Sequence, residues 1–246
     1  MRLHLVTDAW HPQVSGVVTA LGQIKQRLER DGWEVVVIHP GLFRSLPLPW
    51  YPEVRLAVSP GGSLRRVLLR LTPDYVHIAT EGPLGWSARA LCREYGWRFS
   101  SSYHTHFHFY AHAHMRLLLW PVRTLLRIFH GAATGTMAAT PRLKGELETD
   151  GFSNVALWPL GVDSSLFVRR PPSDMPRLRK PVFVFFGRLA PEKSPDEFLK
   201  LDLPGTKLVI GDGPERTRLQ ARFGADALFV GYSTAKTWST GCPRVT

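Results

Sequence analysis

The strongest constraint on the fold is an alternation of short apolar strands with amphipathic helical segments. Residues 2–7 form an apolar run, and residues 34–39 have the sequence EVVVIH. Between them, four apolar residues recur at helical spacing: Val17, Leu21, Ile24 and Leu28. Strands that are apolar on both faces are typical of buried parallel sheets, so this segment predicts a βαβ unit.

The alternation continues along the chain. Further strands are predicted at residues 54–58, 75–79, 98–103 and 132–136, and helices at residues 64–71, 85–95 and 114–130. Later in the chain, strands are predicted at residues 182–186, 207–210 and 228–230, and helices at residues 194–200 and 214–223. Such alternation is typical of α/β proteins with doubly wound parallel sheets.

A polar, proline-rich stretch divides the chain into two predicted domains. We expect a first Rossmann-like domain at residues 1–165, a linker at 166–181 and a second, incomplete Rossmann-like domain at 182–232. Residues 233–246, STAKTWSTGCPRVT, have neither helical nor strand periodicity. They are therefore interpreted as a divergent tail.

Composition excludes several classes of protein. Two cysteines, Cys92 and Cys242, are too few for a disulfide framework. Arg2, His4 and Asp8 interrupt any signal-peptide core, and no apolar run reaches the ~20 residues that span a bilayer. A cytoplasmic protein is expected. The net charge of +11 favours phosphate-bearing or anionic partners, and no nucleic-acid-binding pattern accompanies it, so we expect none of those partners to be nucleic acid.

The first candidate site is the turn between the first strand and the first helix. Gly16 and Val17 lie at the predicted start of that helix, where backbone amides and the helix dipole favour negative groups. Gly16 would let a phosphate or a sugar approach the main chain. The alternative is a glycine that is merely tolerated in the turn.

The second candidate is the histidine-rich segment YHTHFHFYAHAH at residues 103–114. His108 and His112 have the i, i+4 spacing of a helical zinc pair, but the segment contains no carboxylate or cysteine, which disfavours a metal site. His104 and Thr105 follow a predicted strand and would be delivered to the crevice at the carboxyl ends of the strands. The remaining histidines could simply pack with their aromatic neighbours.

The third and fourth candidates follow two predicted strands of the second domain. Arg188 and Lys193, after Gly187, supply a guanidinium and an ammonium that suit a diphosphate. Fixed cations there would stabilise the charge on a departing nucleoside diphosphate. Gly211 and Gly213 would let the backbone approach a ligand. The alternatives are solvated loop cations and a sharp turn.

These segments jointly resemble the family 4 glycosyltransferases of the GT-B architecture, particularly mannosyltransferase-like and sulfoquinovosyl-diglyceride-synthase-like members. The stretches that carry the resemblance are DAWHPQVSGVVTAL, PDYVHIATEGPLGWSARALC, SYHTHFHFY, GFSNVALWPLGVDSSLF, GRLAPEKS and VIGDGPER. The resemblance as a whole covers the chain from Met1 to about Tyr232.

The resemblance implies two Rossmann-like domains facing a cleft, and retaining transfer of a hexose from a GDP- or UDP-linked sugar to a lipid or glycan. Gly16 matches the glycine near the donor phosphates, and His104 matches the histidine beside the transferred sugar. Arg188 and Lys193 match the cation pair on the diphosphate. No metal and no other cofactor is implied.

The chain departs from the family pattern after the sequence FVGY. There the family continues with a segment whose two glutamates hold the donor, whereas this chain continues with STAKTWSTGCPRVT. We expect a truncated donor domain, produced by a reading-frame shift, and impaired activity.

A second class of function stays open: a non-catalytic module that binds an acceptor or a membrane surface. Residues 64–70 and 115–130 mix leucines with arginines, a pattern that can rest on the anionic inner face of a cell membrane. The same pattern also fits helices that turn their apolar stripe to the core and their arginines to water.

Overall fold

The structure, a computed structural model, describes residues 1–48, 51–104, 119–162, 164 and 178–232. The chain divides into two compact units, Met1–Gly161 and Val162–Thr246. Most of the expected linker at 166–181 and the whole expected tail at 233–246 lie outside the described residues.

The first unit contains a six-stranded sheet in which every neighbouring pair is parallel. Its strands, in spatial order, are β2 (Glu34–Ile38), β1 (Arg2–Val6), β5 (Tyr75–Ile78), β6 (Phe99–Tyr103), β7 (Gly135–Ala138) and β8 (Val155–Leu157). The described helices of this unit are α1 (Gly16–Arg30), α2 (Gly61–Arg70), α3 (Pro83–Glu94), α4 (Leu119–His130) and α5 (Pro141–Thr149).

Adjacent residues of β1 show why this sheet is doubly wound. Leu5 packs in a cluster with Leu21 of α1, whereas Val6 packs in a different cluster with Leu64 and Leu68 of α2. Because successive strand residues point to opposite faces, the strand is covered on both sides. This confirms the parallel βαβ arrangement predicted from the sequence.

The strand predicted at 54–58 was assigned wrongly to the parallel sheet. It belongs to β4 (Tyr51–Ala57), which pairs antiparallel with β3 (Ser45–Leu48) in a separate two-stranded sheet. Pro47 lies within β3, and proline has no N–H to donate to a central ladder, so this segment is suited to a small edge sheet.

Two further differences concern the end of the first unit. The strand predicted at 132–136 begins only at Gly135, because Ala133 N donates to His130 O in the turn that ends α4. Helix α5 and strand β8 were not predicted. Of the helix predicted at 114–130, residues 114–118 lie outside the described part of the chain.

The second unit has three parallel strands in the order β11 (Ala227–Gly231), β10 (Thr206–Ile210) and β9 (Val182–Phe186). Helices α6 (Pro195–Lys200) and α7 (Arg216–Phe223) cover one face through Leu199, Leu219 and Phe223. All five of these elements were predicted, β9 with the same ends and the other four with ends that differ by at most two residues. Among the described residues, no helix is long and apolar enough to cross a bilayer.

Candidate active site

The strand order of the first unit places a crevice between β1 and β5. From β1 the chain moves to β2 on one side and then returns to β5 on the other side. In open α/β sheets, ligands bind at the carboxyl ends of the strands where this reversal occurs. The residues that follow β1 and β5 therefore form the candidate site.

Asp8 ties the turn after β1 to the start of α3. Its Oδ1 accepts a hydrogen bond from Leu84 N at 2.9 Å, and its Oδ2 accepts from Gly85 N at 3.2 Å and from Thr80 Oγ1 at 2.9 Å. Burial raises the pKa of Asp8, and these donors oppose that rise. A carboxylate at a helix N-terminus satisfies amides that have no partner within the helix, so the two turns form one rigid piece.

Two glycines make that contact with Asp8 sterically possible. A Cβ added at Gly82 would lie 2.4 Å from Asp8 Cγ, and one added at Gly85 would lie 1.9 Å from Thr80 O. Both distances are far shorter than van der Waals contact. The glycines of the sequence TEGPLG are therefore required by the approach of Asp8 and Thr80.

A chain of hydrogen bonds runs from β5 to His104 on one face of the sheet. His77 Nδ1 lies 2.8 Å from Ser100 Oγ, and His77 Nε2 lies 3.1 Å from Ser102 Oγ. Ser102 Oγ lies 2.8 Å from His104 Nε2. Burial lowers the pKa of His77 to about 3 and also lowers the pKa of His104, so both imidazoles are neutral near pH 7.

A second series of hydrogen bonds lies on the opposite face of the sheet. Ser101 Oγ lies 2.8 Å from His130 Nδ1, and His130 Nε2 lies 3.0 Å from Glu81 Oε1. The carboxylate can only accept, so His130 donates from Nε2. His130 is fully buried, and the Glu81 side chain is 11% exposed, so this histidine holds Glu81 at the carboxyl end of β5.

Gly16 and Val17 lie at the N-terminus of α1, as predicted. Ser15 caps this helix, because its Oγ accepts from Val18 N at 3.3 Å. The first amides of a helix have no acceptor within it. A Cβ added at Gly16 would meet no described atom within 4 Å, so the described fold does not require a glycine there.

In the second unit, the turns after β9 and β10 interlock. Gly187 N donates to Ile210 O at 3.0 Å, and Leu189 N donates to Asp212 O at 2.9 Å. A Cβ added at Gly211 would lie 1.8 Å from Gly187 O. A Cβ added at Gly213 would lie 2.3 Å from Leu189 O. The two glycines thus serve the contact between turns, and their contact with a ligand stays a prediction.

The two predicted cations lie on different elements. Arg188 is half-buried in the interlocked turn directly after β9, whereas Lys193 is exposed at the end of a 3₁₀ helix, Pro191–Lys193. Arg188 therefore has a fixed backbone at the carboxyl edge of the sheet. Their roles on a diphosphate stay predictions.

Part of the histidine-rich segment cannot be compared with its prediction. Thr105 and residues 106–114 lie outside the described residues. Within the described part of the chain, no group of three or more His, Cys, Asp or Glu side chains could hold a metal ion.

Sequence reasoning missed several residues of the site, among them Asp8, His77, Glu81, Ser102 and His130. Asp8 and Glu81 follow β1 and β5 closely, so the reasoning that selected His104 could have found them. His77 and His130 lie inside a strand and a helix, and no spacing distinguishes them from histidines that only pack in the core.

Comparisons with known proteins bear on the family and the fold of this chain. The profile of Glycosyltransferase Family 4 matches residues 14–166. A GDP-mannose-dependent alpha-mannosyltransferase of Mycobacterium tuberculosis is 28% identical, over 94% of this chain and 68% of that protein. The sulfoquinovosyl transferase SQD2 of Arabidopsis thaliana is 30% identical, over 89% of this chain and 48% of that protein. The chain thus spans about half to two thirds of the length of these relatives.

A solved structure extends the comparison to the fold. Sucrose-phosphate synthase from Thermosynechococcus elongatus matches with a TM-score of 0.73 and 15% identity, over 96% of this chain and 71% of that one. At this identity the likeness concerns the fold alone. It confirms the predicted α/β fold class of Rossmann-like, GT-B type.

Proposed function

The chain belongs to Glycosyltransferase Family 4, and we propose that it transfers a hexose from a nucleoside-diphosphate sugar to a lipid or glycan acceptor with retention of configuration. The observation that carries the proposal is the pair of rigid carboxyl-edge turns. In the first unit the turn ends at Gly16 and α1, and in the second unit it contains Arg188. Turns of this kind at the ends of parallel strands are where α/β proteins hold phosphates.

We assign the donor diphosphate to Arg188 and Lys193. As the bond to the sugar breaks, negative charge grows on the phosphate oxygens, and cations already in place lower the barrier. The guanidinium of Arg188 suits two oxygens at once, and the ammonium of Lys193 acts as a point charge. The interlock of the turns after β9 and β10 supports the role of Arg188, because it fixes the backbone on either side.

We assign the transferred sugar to His104 and the donor phosphates to the amides of Gly16 and Val17. The lowered pKa of His104 keeps its imidazole neutral, so it can contact sugar hydroxyls without adding charge. The open space in front of Gly16 supports close approach of a ligand to the main chain.

GDP-mannose is the first donor to test, because a curated relative is described as GDP-mannose-dependent. Titration calorimetry of the full chain with GDP-mannose, GDP and UDP-glucose measures the dissociation constants directly. Donor binding should be weak, since the family's glutamate-bearing segment falls where this chain has STAKTWSTGCPRVT.

The Arg188→Ala variant should weaken binding of the nucleotide sugar by about tenfold or more, since a hydrogen bond to a charged group is lost. Arg142→Ala is the matched control, because Arg142 is 89% exposed and pairs with Glu146 on α5. Equal affinity in both variants would contradict the role of Arg188. Absence of binding to any of the three ligands would contradict the proposed function.

A second candidate function is docking to an anionic membrane surface through α4. Trp120, Leu125 and Ile128 are 69%, 50% and 53% exposed, and Arg123 and Arg127 are exposed on the same helix. An exposed apolar stripe beside a basic stripe is typical of helices that lie in a lipid interface. This surface would place the protein at the inner face of the cell membrane, where a lipid acceptor would also lie.

A further inference from the structure

We propose that His77 and Ser102 are positioning residues for His104, and that the single hydroxyl proton of Ser102 holds the two imidazoles in opposite neutral tautomers. The inference rests on the proposed function in one respect: His104 is the histidine assigned there to the transferred sugar. The positions of the side chains are independent of that assignment.

Ser102 lies between the two imidazoles. Its Oγ is 3.1 Å from His77 Nε2 and 2.8 Å from His104 Nε2. The Ala79 carbonyl oxygen is 3.5 Å away, which is long for a hydroxyl donor. A serine hydroxyl has one proton, so it donates to one imidazole and accepts from the other.

Two proton arrangements satisfy the series of hydrogen bonds that runs from Ser100 to His104. In the first, Ser102 donates to His104 Nε2, and His104 carries its proton on Nδ1. His77 then donates from Nε2 to Ser102, and its Nδ1 accepts from Ser100, 2.8 Å away. In the second, every donor and acceptor is reversed. Neither arrangement changes the net charge.

A comparison with the opposite face of the sheet shows how the hydrogen bonds of His77 differ from those of His130. There, His130 contacts the Glu81 carboxylate, which fixes the direction of donation. The hydrogen bonds of His77 end at the Ser100 hydroxyl, which can donate or accept, and run through Ser102 to His104. The direction of its hydrogen bonds is therefore set by the group that binds His104.

Nε2 of His104 is occupied by Ser102, so Nδ1 is the nitrogen for a ligand. Among the described residues, none forms a hydrogen bond with Nδ1 of His104. A phosphate oxygen can only accept, so it would select the arrangement in which Nδ1 donates. A sugar hydroxyl can donate or accept, so both arrangements fit it. The geometry therefore fits a sugar hydroxyl or an anionic oxygen at Nδ1 of His104.

The test is histidine ring ¹⁵N NMR on the full chain, with the two signals assigned through His77→Gln and His104→Asn. The expected result is opposite tautomers, one imidazole protonated at Nδ1 and the other at Nε2. The same tautomer in both rings would overturn the proposal. The tautomers are read on the unmodified protein without a ligand, and the two variants serve only to assign the signals.

Variants of Ser102 test the positioning role. Ser102→Ala should give His104 a mixture of tautomers, and it should weaken binding of GDP-mannose about tenfold, the cost of one hydrogen bond to the ligand-facing group. Ser102→Thr keeps the hydroxyl and should restore both. Ser101→Ala is the control for the spectrum, because Ser101 lies on the opposite face and contacts His130.

The NMR spectrum tests the positioning role of Ser102, and the affinity for nucleotide sugars tests the proposed function, so the two can fail separately. An unchanged His104 signal in Ser102→Ala would overturn the positioning role, whatever the affinity for nucleotide sugars. Opposite tautomers together with no nucleotide-sugar binding would support the positioning role and contradict the proposed function.

Discussion

His4 is a fully buried imidazole on the central strand β1. Burial is the main cause that lowers its pKa to about 4, the charge of Arg2 adds to this effect, and the charge of Glu34 opposes it. The folded-state pKa therefore lies below the unfolded value of about 6.5. As the pH falls below 6.5, the unfolded state takes up a proton that the folded state cannot hold until about pH 4.

Stability should therefore fall on acidification through this window. Between pH 7 and pH 5, His4 should account for a loss of about 2 kcal/mol in the free energy of unfolding. Urea denaturation at the two pH values measures this loss. His4→Leu should reduce the difference between the two values. Val36→Ala, on the neighbouring strand, should lower both values equally, and an equal response of the two variants would contradict the role of His4.

At the scale of the element, the turns after β9 and β10 depend on glycine. Gly211→Ala would place a Cβ 1.8 Å from Gly187 O at a backbone φ of +145°, which side chains rarely adopt. The variant should lower the free energy of unfolding by about 2 kcal/mol or more, since both backbone strain and displaced packing contribute.

Gly22→Ala is the control for this prediction. Gly22 lies within α1, and an added Cβ there would meet nothing within 4 Å, so alanine should stabilise the helix by about 0.5–1 kcal/mol. Thermal unfolding followed by circular dichroism measures both effects. A Gly211→Ala variant as stable as the wild type would show that the interlock is not rigid.

Most elements of the fold were predictable because they follow local rules. EVVVIH is apolar on both faces and forms the parallel strand β2, and Val182–Phe186 forms the parallel strand β9 at the edge of its sheet. The hairpin of β3 and β4 was not predictable as a separate sheet, because the pattern of 54–58 suits a parallel strand equally well. Strand β8 has three residues, too few for a periodicity.

The site was predictable only where residues follow strands. His104 and Arg188 were found in this way. His77 and Ser102 were not, because their importance lies in a contact between β5 and β6 that joins residues far apart in the sequence. A serine-rich strand, FSSSY, shows no apolar alternation, and only the fold reveals that each hydroxyl meets a histidine.

At the scale of the whole molecule, we expect the net charge of +11 and the exposed face of α4 to favour the same anionic surface. The chain should sediment with vesicles that contain an anionic phospholipid, and added salt should weaken this binding. Exchanging Leu125 and Ile128 for serine should reduce the bound fraction several-fold, because the apolar contact with the lipid is lost.

Leu46→Ser is the matched control for that experiment. Leu46 is 62% exposed and lies on β3, away from α4 in the sequence, so the variant should bind vesicles like the wild type. Equal sedimentation with neutral and anionic vesicles would contradict the membrane role of α4.

The hydroxyl groups of β6 also bear on how the protein responds to its surroundings. His77 and His104 are held by serines, and burial lowers the pKa of each, so each takes up a proton less readily than a free histidine. His77, with a pKa of about 3, stays uncharged when the pH of a cell shifts by a fraction of a unit. Histidines usually confer sensitivity to acidity, and here their burial beside serine hydroxyls makes this part of the sheet less responsive to it.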